Sequence, residues 1–301
     1  MNKTNWHHIS VCILTYKRPM MLNKCLESLQ NQELEGFDFS IVIVDNDMSQ
    51  SAKEVVSGWR KRSSIDIHYY VEPEQNISLA RNKAVANSSG DSIAFIDDDE
   101  FPDSGWLLNL YSTLVSENAD GVLGPVIPHF DHQPPQWVVK SGLLERPSFV
   151  TGTVLSPVNT RTSNVLLDKK ILKDVTDPFD PRFGKIGGED SDFFSRMIAD
   201  GRKFIWCDEA GVFETVPPER FRRSYFIKRA LLRGVSEAKL QTGPGKGVLK
   251  SLVAFTLYTA ALPVLLVLGH HLFMRYLSKD CDHIGKLLAL CGVDVLKQRS
   301  F

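Results

Sequence analysis

The chain has 301 residues, of which 43% are hydrophobic, and this length allows one large domain or two coupled halves. Its 35 Lys and Arg against 36 Asp and Glu give a net charge of -1, so we expect no nucleic-acid partner. The five cysteines are scattered without a CxxC spacing, which favours neither a zinc site nor a disulfide framework and indicates a reducing compartment. The first residues lack an apolar signal region, so we do not expect secretion.

The first hundred residues alternate between apolar runs and helical patterns. Continuous apolar runs are typical of strands buried on both faces of a parallel sheet, and here they predict strands at Ile9–Leu14, Ile41–Val44, Ile67–Val71 and Ser92–Asp99. Apolar residues at helical spacing predict the intervening helices Met20–Gln32, Ala52–Lys61 and Leu79–Asn87. This β-α alternation predicts an α/β fold with a parallel sheet and right-handed crossovers.

Polar side chains follow these strands at the point where each one ends. Residues 15–18 follow the first strand and Asp45 follows the second. The carboxyl ends of parallel strands share one rim, where open α/β sheets bind ligands. The Asp45 carboxylate can accept a hydrogen bond from a nucleobase ring, although an N-cap or Asx-turn is an open alternative. Since the chain has neither GxGxxG after the first strand nor GxxxxGK[ST], we expect metal and side chains to hold phosphate.

The fourth strand runs directly into three aspartates. Alternation along a strand would place Asp97 and Asp99 on one face and Asp98 on the other. Two converging carboxylates suit a hard divalent cation whose other ligands are phosphate oxygens. Arg18 and Arg81 can neutralise a diphosphate. The alternatives are a solvated acidic turn and ordinary surface arginines.

A second acidic group follows a proline-punctuated stretch in which Trp137 either stacks on a sugar or anchors its own loop. Two glycines precede Glu189 and Asp190, which stand at the start of a predicted helix. The helix dipole favours ionised carboxylates at this position. An ionised carboxylate in a cleft can take a proton from an acceptor hydroxyl. Plain helix capping is the alternative.

The order and spacing of these motifs carry a family resemblance. Asp45, the strand end at residues 97–99 and the segment 188–196 resemble family 2 glycosyltransferases, as does Asn-Ile-Ser-Leu-Ala-Arg-Asn at 76–82. The pattern Val-Pro-Pro-Glu-Arg at 216–220 is similar to that of bacterial exopolysaccharide chain-elongating enzymes of the succinoglycan type. The resemblance implies a GT-A fold, with a Rossmann-like, mixed and mostly parallel sheet flanked by helices. It also implies inversion of the anomeric centre.

The resemblance also implies a donor site. Thr15 and Arg18 would line the nucleotide pocket, with Arg81 and Asp98 in the same site. Asp45 would read the base, expected to be uracil. The remaining donor-site roles fall on Asp97, near the ribose and diphosphate, and Asp99, as ligand of Mg²⁺ or Mn²⁺.

On the acceptor side, the resemblance makes Asp190 the catalytic base and places Glu189 at the acceptor sugar. Glu214 stands where many relatives have a His metal ligand, and Glu can also bind Mg²⁺ or Mn²⁺. The implied reaction is a single displacement by an acceptor hydroxyl at the donor sugar.

The expected activity is metal-dependent hexosyl transfer from a nucleotide-sugar, taken to be a UDP-sugar. The acceptor is a hydroxyl of a lipid-linked or growing saccharide in surface polysaccharide biosynthesis. Two alternatives stay open: a sugar nucleotidyltransferase and a non-catalytic sugar-binding protein of the same fold. The first usually needs a glycine-rich loop after the first strand, and residues 15–19 contain no glycine.

The last third of the chain changes in composition. We divide the chain into a nucleotide-sugar half (1–110), an acceptor and catalytic half (111–220) and a helical membrane-associating region (221–301). Nine Lys and Arg against one Glu in 220–250 precede an uncharged stretch at 251–274, which suits an anionic membrane surface. The alternative is a buried helix of a soluble domain.

Interruptions of the apolar stretch in that region indicate how it attaches to the membrane. Pro263, Gly269 and a further apolar stripe at 284–296 favour a monotopic anchor over a single span. Because nucleotide sugars are made in the cytosol and positive charge stays on the cytoplasmic side, we expect the enzyme on the cytoplasmic face of the bacterial inner membrane.

Overall fold

The computed structural model describes residues 6–173, 175–185, 187–240 and 247–292, without the side chains of residues 239 and 240. Its centre is a seven-stranded sheet in the order β3-β2-β1-β4-β8-β6-β9. The strands are β1 (His7–Thr15), β2 (Phe37–Asp45), β3 (Ile67–Val71), β4 (Ser92–Asp97), β6 (Gly121–Leu123), β8 (Val165–Asp168) and β9 (Phe204–Trp206). Only β8 runs antiparallel to its neighbours among the described pairings, so the sheet is mixed and mostly parallel, as expected.

Helices cover both faces of this sheet. The bounds are α1 (Pro19–Leu29), α2 (Lys53–Arg62), α3 (Ile77–Ala86), α4 (Trp106–Ser116), α5 (Gln136–Ser141), α6 (Glu189–Ala199), α7 (Arg223–Leu240), α8 (Val248–Leu268) and α9 (His270–Leu290). One apolar cluster joins the sheet to α1, α2 and α4, and a second joins its other face to α3 and α6. Apolar runs became strands because both of their faces are buried under these helices.

The strand carrying the aspartates ends earlier than expected. β4 stops at Asp97, and residues 98 and 99 form a turn into the next strand. The alternation argument therefore does not extend to Asp99, and the contacts of each carboxylate decide where it points. The wrong boundary has a simple cause, because three consecutive aspartates favour a turn over an extended strand.

A second, three-stranded sheet joins the acidic turn to the later part of the chain. Its strands are β5 (Glu100–Pro102), β10 (Val212–Thr215) and β7 (Val126–His129), in the order β5-β10-β7. Glu100 and Glu214 are register partners, and the Thr215 amide donates to the Asp99 carbonyl at 2.9 Å. This sheet brings residues more than a hundred positions apart to one end of β4.

The C-terminal helices form a layered unit, with α9 packed against both α7 and α8. α8 continues through Pro263 and ends at Leu268, and Gly269 separates it from α9, so the expected uncharged segment 251–274 is divided between two helices. Within the apolar window of α8 only 6% of the residues are buried, so α8 is not a core helix of a soluble domain. Lys246 and the end of the 284–296 stripe lie outside the described residues.

Candidate active site

A cavity of about 260 Å³ opens at the carboxyl ends of β1, β2 and β4. This is the rim where the sequence placed the donor site. The expected site residues that line it are Thr15, Arg18, Arg81, Asp97, Asp98, Asp99 and Glu214. The structure thus brings together most of the residues that the motifs singled out.

One wall of the cleft is built from Thr15, Arg18 and Asp98. The buried Asp98 carboxylate accepts hydrogen bonds from the Thr15 hydroxyl at 2.7 Å and from the Arg18 guanidinium at 3.3 Å. Burial raises the pKa of Asp98 to about 6, although Arg18 and Thr15 act in the opposite direction. The Asp98 carboxylate therefore orients the first loop, while the half-exposed Arg18 side chain reaches into the cleft.

The floor of the cleft holds crowded carboxylates. Burial and the neighbouring Asp99 carboxylate raise the pKa of Asp97 to about 7. Burial and Asp97 raise the pKa of Glu100 well above its usual range, and Glu100 accepts a hydrogen bond from the Asp97 amide at 3.1 Å. The carboxylate oxygens of this group are ligands that Mg²⁺ and Mn²⁺ accept.

This donor set fits a divalent cation that also binds substrate. No group of three His, Cys, Asp or Glu side chains in the described residues is arranged to hold an ion by itself. Mg²⁺ commonly uses one or two carboxylates together with substrate phosphates and water. Asp97 and Asp99 are suited to that arrangement because both line the cleft.

Glu214 lies at the back of the cleft between two arginines. Its carboxylate accepts hydrogen bonds from Arg146 at 2.5 Å and from Arg220. Burial raises the pKa of Glu214, but the two guanidinium groups outweigh it and the pKa is lowered. Arg220 also reaches the Asp99 carboxylate at 3.3 Å. In the structure the Glu214 carboxylate thus pairs with two arginines. Its role as a metal ligand stays a prediction.

The expected catalytic acids stand at the start of α6. Gly187 and Gly188 precede them with φ of 86° and 101°, a left-handed backbone that glycine adopts without strain. Glu189 forms a buried ion pair with Arg81, at 2.5 Å from Nη1 to Oε1. Burial and the adjacent Glu189 raise the pKa of Asp190. The expectation that the helix dipole keeps Asp190 ionised stays a prediction.

Three expected site residues lie outside the lining of the cleft: Asp45, Glu189 and Asp190. Asp45 is fully buried, and its carboxylate accepts from the amides of Asp47 at 3.1 Å and Ala52 at 2.8 Å and from the Tyr69 hydroxyl at 2.9 Å. These contacts are those of the alternative in which Asp45 forms an N-cap or Asx-turn and so fixes its own loop. Reading of the base by Asp45 stays a prediction.

Sequence reasoning missed several residues of the cleft. Tyr16, Asn46, Gln75 and Arg220 also line it, although Arg220 belongs to the motif at 216–220. Arg146 had no local signal, because it lies within the proline-punctuated stretch and reaches Glu214 only in the folded chain. Trp137 contacts Phe226 and His270 edge-on, at 5.6 and 5.2 Å between ring centroids, which favours its anchoring role.

Comparison with known proteins decides the family. The profile described as "Glycosyl transferase family 2" matches residues 10–175, more than half of the chain. This protein belongs to glycosyl transferase family 2. The matched region contains the first loop, the acidic turn and the helix that carries Arg81. The resemblance drawn from the motifs is therefore confirmed.

This family 2 glycosyltransferase is 34% identical over 244 residues to the succinoglycan biosynthesis protein ExoM of Rhizobium meliloti (strain 1021). The match covers 80% of this chain and 77% of that protein. A second relative is the GalNAc(5)-diNAcBac-PP-undecaprenol beta-1,3-glucosyltransferase of Campylobacter jejuni subsp. jejuni serotype O:2. It is 30% identical over 115 residues, which cover 38% of this chain and 35% of that one.

Solved structures confirm the expected GT-A fold. S. aureus TarS in complex with UDP-GlcNAc matches with a TM-score of 0.54 at 16% identity, over 96% of this chain and 95% of that one. The TarS complex with UDP matches with a TM-score of 0.54 at 17% identity, over 95% and 92%. At this identity the likeness concerns the fold alone.

Proposed function

We propose that this glycosyltransferase moves a hexosyl group from a UDP-sugar to a hydroxyl of a lipid-linked or growing saccharide in surface polysaccharide biosynthesis. The observation that carries the proposal is a cleft at the sheet rim in which Arg18, Arg220 and the acidic turn converge. The names of ExoM and of the Campylobacter enzyme support the acceptor class. The TarS complexes support a uridine nucleotide donor.

Donor binding would use charges of both signs. Arg18 and Arg220 each lie 3.3 Å from the Asp99 carboxylate, so guanidinium groups already stand beside the position proposed for the diphosphate. Guanidinium groups bind phosphate oxygens in a bidentate manner. Asp97 and Asp99 would hold Mg²⁺ or Mn²⁺, which when bound supplies positive charge that stabilises the departing diphosphate.

The acceptor hydroxyl would lose its proton to Asp190. A base works best when its pKa lies near the operating pH, and burial raises the pKa of Asp190 in that direction. Arg81 holds the neighbouring Glu189 and fixes the first turn of α6. The attack is then a single displacement with inversion, and no covalent intermediate on the protein is required.

We also place the enzyme at the cytoplasmic face of the bacterial inner membrane. One helix in the described residues, α8, is long and apolar enough to cross a membrane. Cytosolic nucleotide sugars require the cleft to face the cytosol, and the basic stretch before α8 agrees with that orientation.

The test is Asp190→Asn in the full chain, with Asp192→Asn as the control. Asp192 lies in the same helix but pairs with Arg196 at the surface. Loss of a general base typically lowers the rate by on the order of 10²–10⁴-fold, so Asp190→Asn should abolish measurable transfer while calorimetry still detects UDP binding. Transfer at near the parent rate would remove Asp190 from this role, and absence of transfer and UDP binding in the parent would favour a non-catalytic protein.

A further inference from the structure

The outer surface of α8 is a continuous apolar face. Its large side chains are between 46% and 87% exposed, and we call this set the α8 face: Leu249, Leu252, Val253, Leu257, Val264, Leu266, Val267 and Leu268. Isolated exposed apolar residues are normal on a soluble protein, but a contiguous apolar surface marks an interaction site. At 21 residues, α8 extends this face over roughly 30 Å.

The opposite side of α8 is held to α9 by polar contacts. The Thr259 hydroxyl donates to Asp280 at 3.1 Å, and Ser251 and His283 are hydrogen bonded at 3.3 Å. Tyr258 packs on the ring of His283, with 5.9 Å between centroids. The helix therefore contacts α9 through several of its few polar side chains and exposes many large apolar ones, unlike a surface helix in water.

α9 in turn packs tightly against α7, which connects it to the catalytic part of the molecule. At the crossing of α7 and α9, a Cβ on Gly234 would lie 2.0 Å from the Asp282 carbonyl oxygen, and one on Gly285 would lie 2.2 Å from the Leu231 carbonyl oxygen. The two backbones are thus in contact. Lys286 adds an ion pair to Glu237 at 2.7 Å across the same pair of helices. α7 begins three residues after Arg220, which lines the cleft.

The exposed charges on α8 and α9 are positive. Lys250, Arg275 and Lys279 are exposed, whereas the acidic residues in 247–292, Asp280 and Asp282, are buried or hydrogen bonded to Arg233. A surface of this sign is complementary to anionic lipid headgroups. It opposes contact with a second copy of itself, because the same cations would face each other.

We propose that the α8 face lies flat in one leaflet of an anionic bilayer, so that α8 and α9 hold the catalytic cleft at a fixed height above the membrane without crossing it. If α8 crossed while still packed on α9, the charged side chains of α9 would enter the hydrocarbon region, which is strongly unfavourable. The proposal does not rest on the proposed reaction, because lipid binding is measured without substrate.

The first experiment measures binding of the full-length protein to phosphatidylcholine vesicles with and without phosphatidylglycerol. Val264→Ser with Val267→Ser should weaken binding at least about tenfold, since removing a buried valine from lipid typically costs that much or more. Val154→Ser with Val158→Ser is the matched control, because the exposed fractions are 63% and 87% against 62% and 87%. The control pair should bind like the parent.

Charge reversal separates the headgroup contribution from the apolar one. Arg275→Glu with Lys279→Glu should lower affinity several-fold for vesicles that contain phosphatidylglycerol and change binding to pure phosphatidylcholine little. Parent protein that fails to bind either vesicle, or that forms a concentration-dependent dimer abolished by the valine substitutions, would overturn the proposal in favour of contact between copies.

The second experiment decides between a flat helix and a span. Cys291 is exposed at the end of α9, whereas Cys12, Cys25, Cys207 and Cys281 are buried, so the native chain carries its own reporter. A membrane-impermeant maleimide should label Cys291 in inverted membrane vesicles and leave it unlabelled in intact cells. A second reporter, Arg275→Cys in a Cys291→Ser background, should behave in the same way. Labelling of either thiol from outside intact cells, or protection of both in inverted vesicles, would overturn the flat arrangement.

Discussion

Glu189→Gln should destabilise the protein strongly, because Glu189 is the counterion of a buried arginine. The side chains of Arg81 and Glu189 are only 6% and 7% exposed, and they are joined at 2.5 Å. Neutralising Glu189 leaves a guanidinium that is largely shielded from water, although it lines the cleft, and that has no other ion pair in the described part of the chain. The expected effect differs from that of an acceptor-binding residue, which would change KM and leave the fold unaffected.

The magnitude follows from the burial of both partners. Breaking a buried pair by removing one member typically costs about 3–5 kcal/mol, because an uncompensated charge remains. For a chain of this size that corresponds to a fall in Tm of roughly 5–8 °C. The pair is imperfect, since Arg81 Nε and Glu189 Oε2 find no hydrogen-bond partner. Replacing both members by apolar side chains, in Arg81→Met with Glu189→Leu, should therefore recover much of the loss.

The assay is thermal unfolding of Glu189→Gln, of the single variants Arg81→Met and Glu189→Leu, and of the double variant that combines these two. Asp192→Asn is the control within the same helix, because its pair with Arg196 is 23% and 42% exposed and such pairs contribute about 0–1 kcal/mol. A small shift for Glu189→Gln, with additive effects in the double variant and a raised KM for acceptor, would refute the buried-pair reasoning. It would support the acceptor-side role expected for Glu189.

Three further predictions concern the acidic residues of the sheet rim. Asp99→Ala should weaken Mn²⁺-dependent binding of UDP in calorimetry, and chelator should have the same effect on the parent protein. In the presence of chelator, the pKa of Asp97 is about 7 in the folded protein, above the ordinary value near 4 that applies in the unfolded chain. The folded state then binds the extra proton, so stability should fall as pH rises from about 4 to about 7, by on the order of 2–4 kcal/mol. Asp97→Asn should remove that part of the fall. Asp45→Ala should lower both uridine nucleotide affinity and Tm, because three donors lose their acceptor.

A specific result would contradict each of these three predictions. UDP binding that ignores metal in both proteins would argue against Asp99 as a ligand. An Asp97→Asn protein that loses as much stability as the parent between pH 4 and pH 7 would show that other groups, such as Glu100, control the dependence. Nucleotide affinity that survives Asp45→Ala while Tm falls would leave Asp45 with the loop-fixing role alone.

Local patterns determined much of this protein. The β3 strand at Ile67–Val71 appears with the bounds that the sequence predicted, and the helices of the first half begin and end within a few residues of expectation. Buried parallel strands leave an unmistakable apolar run, and a donor site at their carboxyl ends follows from topology alone. The family could be assigned for the same reason, because its motifs are short and ordered along the chain.

Tertiary structure decided what each charged side chain contacts. No local pattern showed that Arg146 and Arg220 pair with the Glu214 carboxylate, because their approach depends on the three-stranded sheet. Glu189 and Arg81 are 108 residues apart, so no local pattern could pair them. Composition likewise marked α8 as apolar, whereas only its packing on α9 shows which of its side chains are exposed. Secondary structure depends on residues that are neighbours in the sequence. The pairing of charged side chains depends instead on which groups the fold buries together, because a buried charge without a partner is costly.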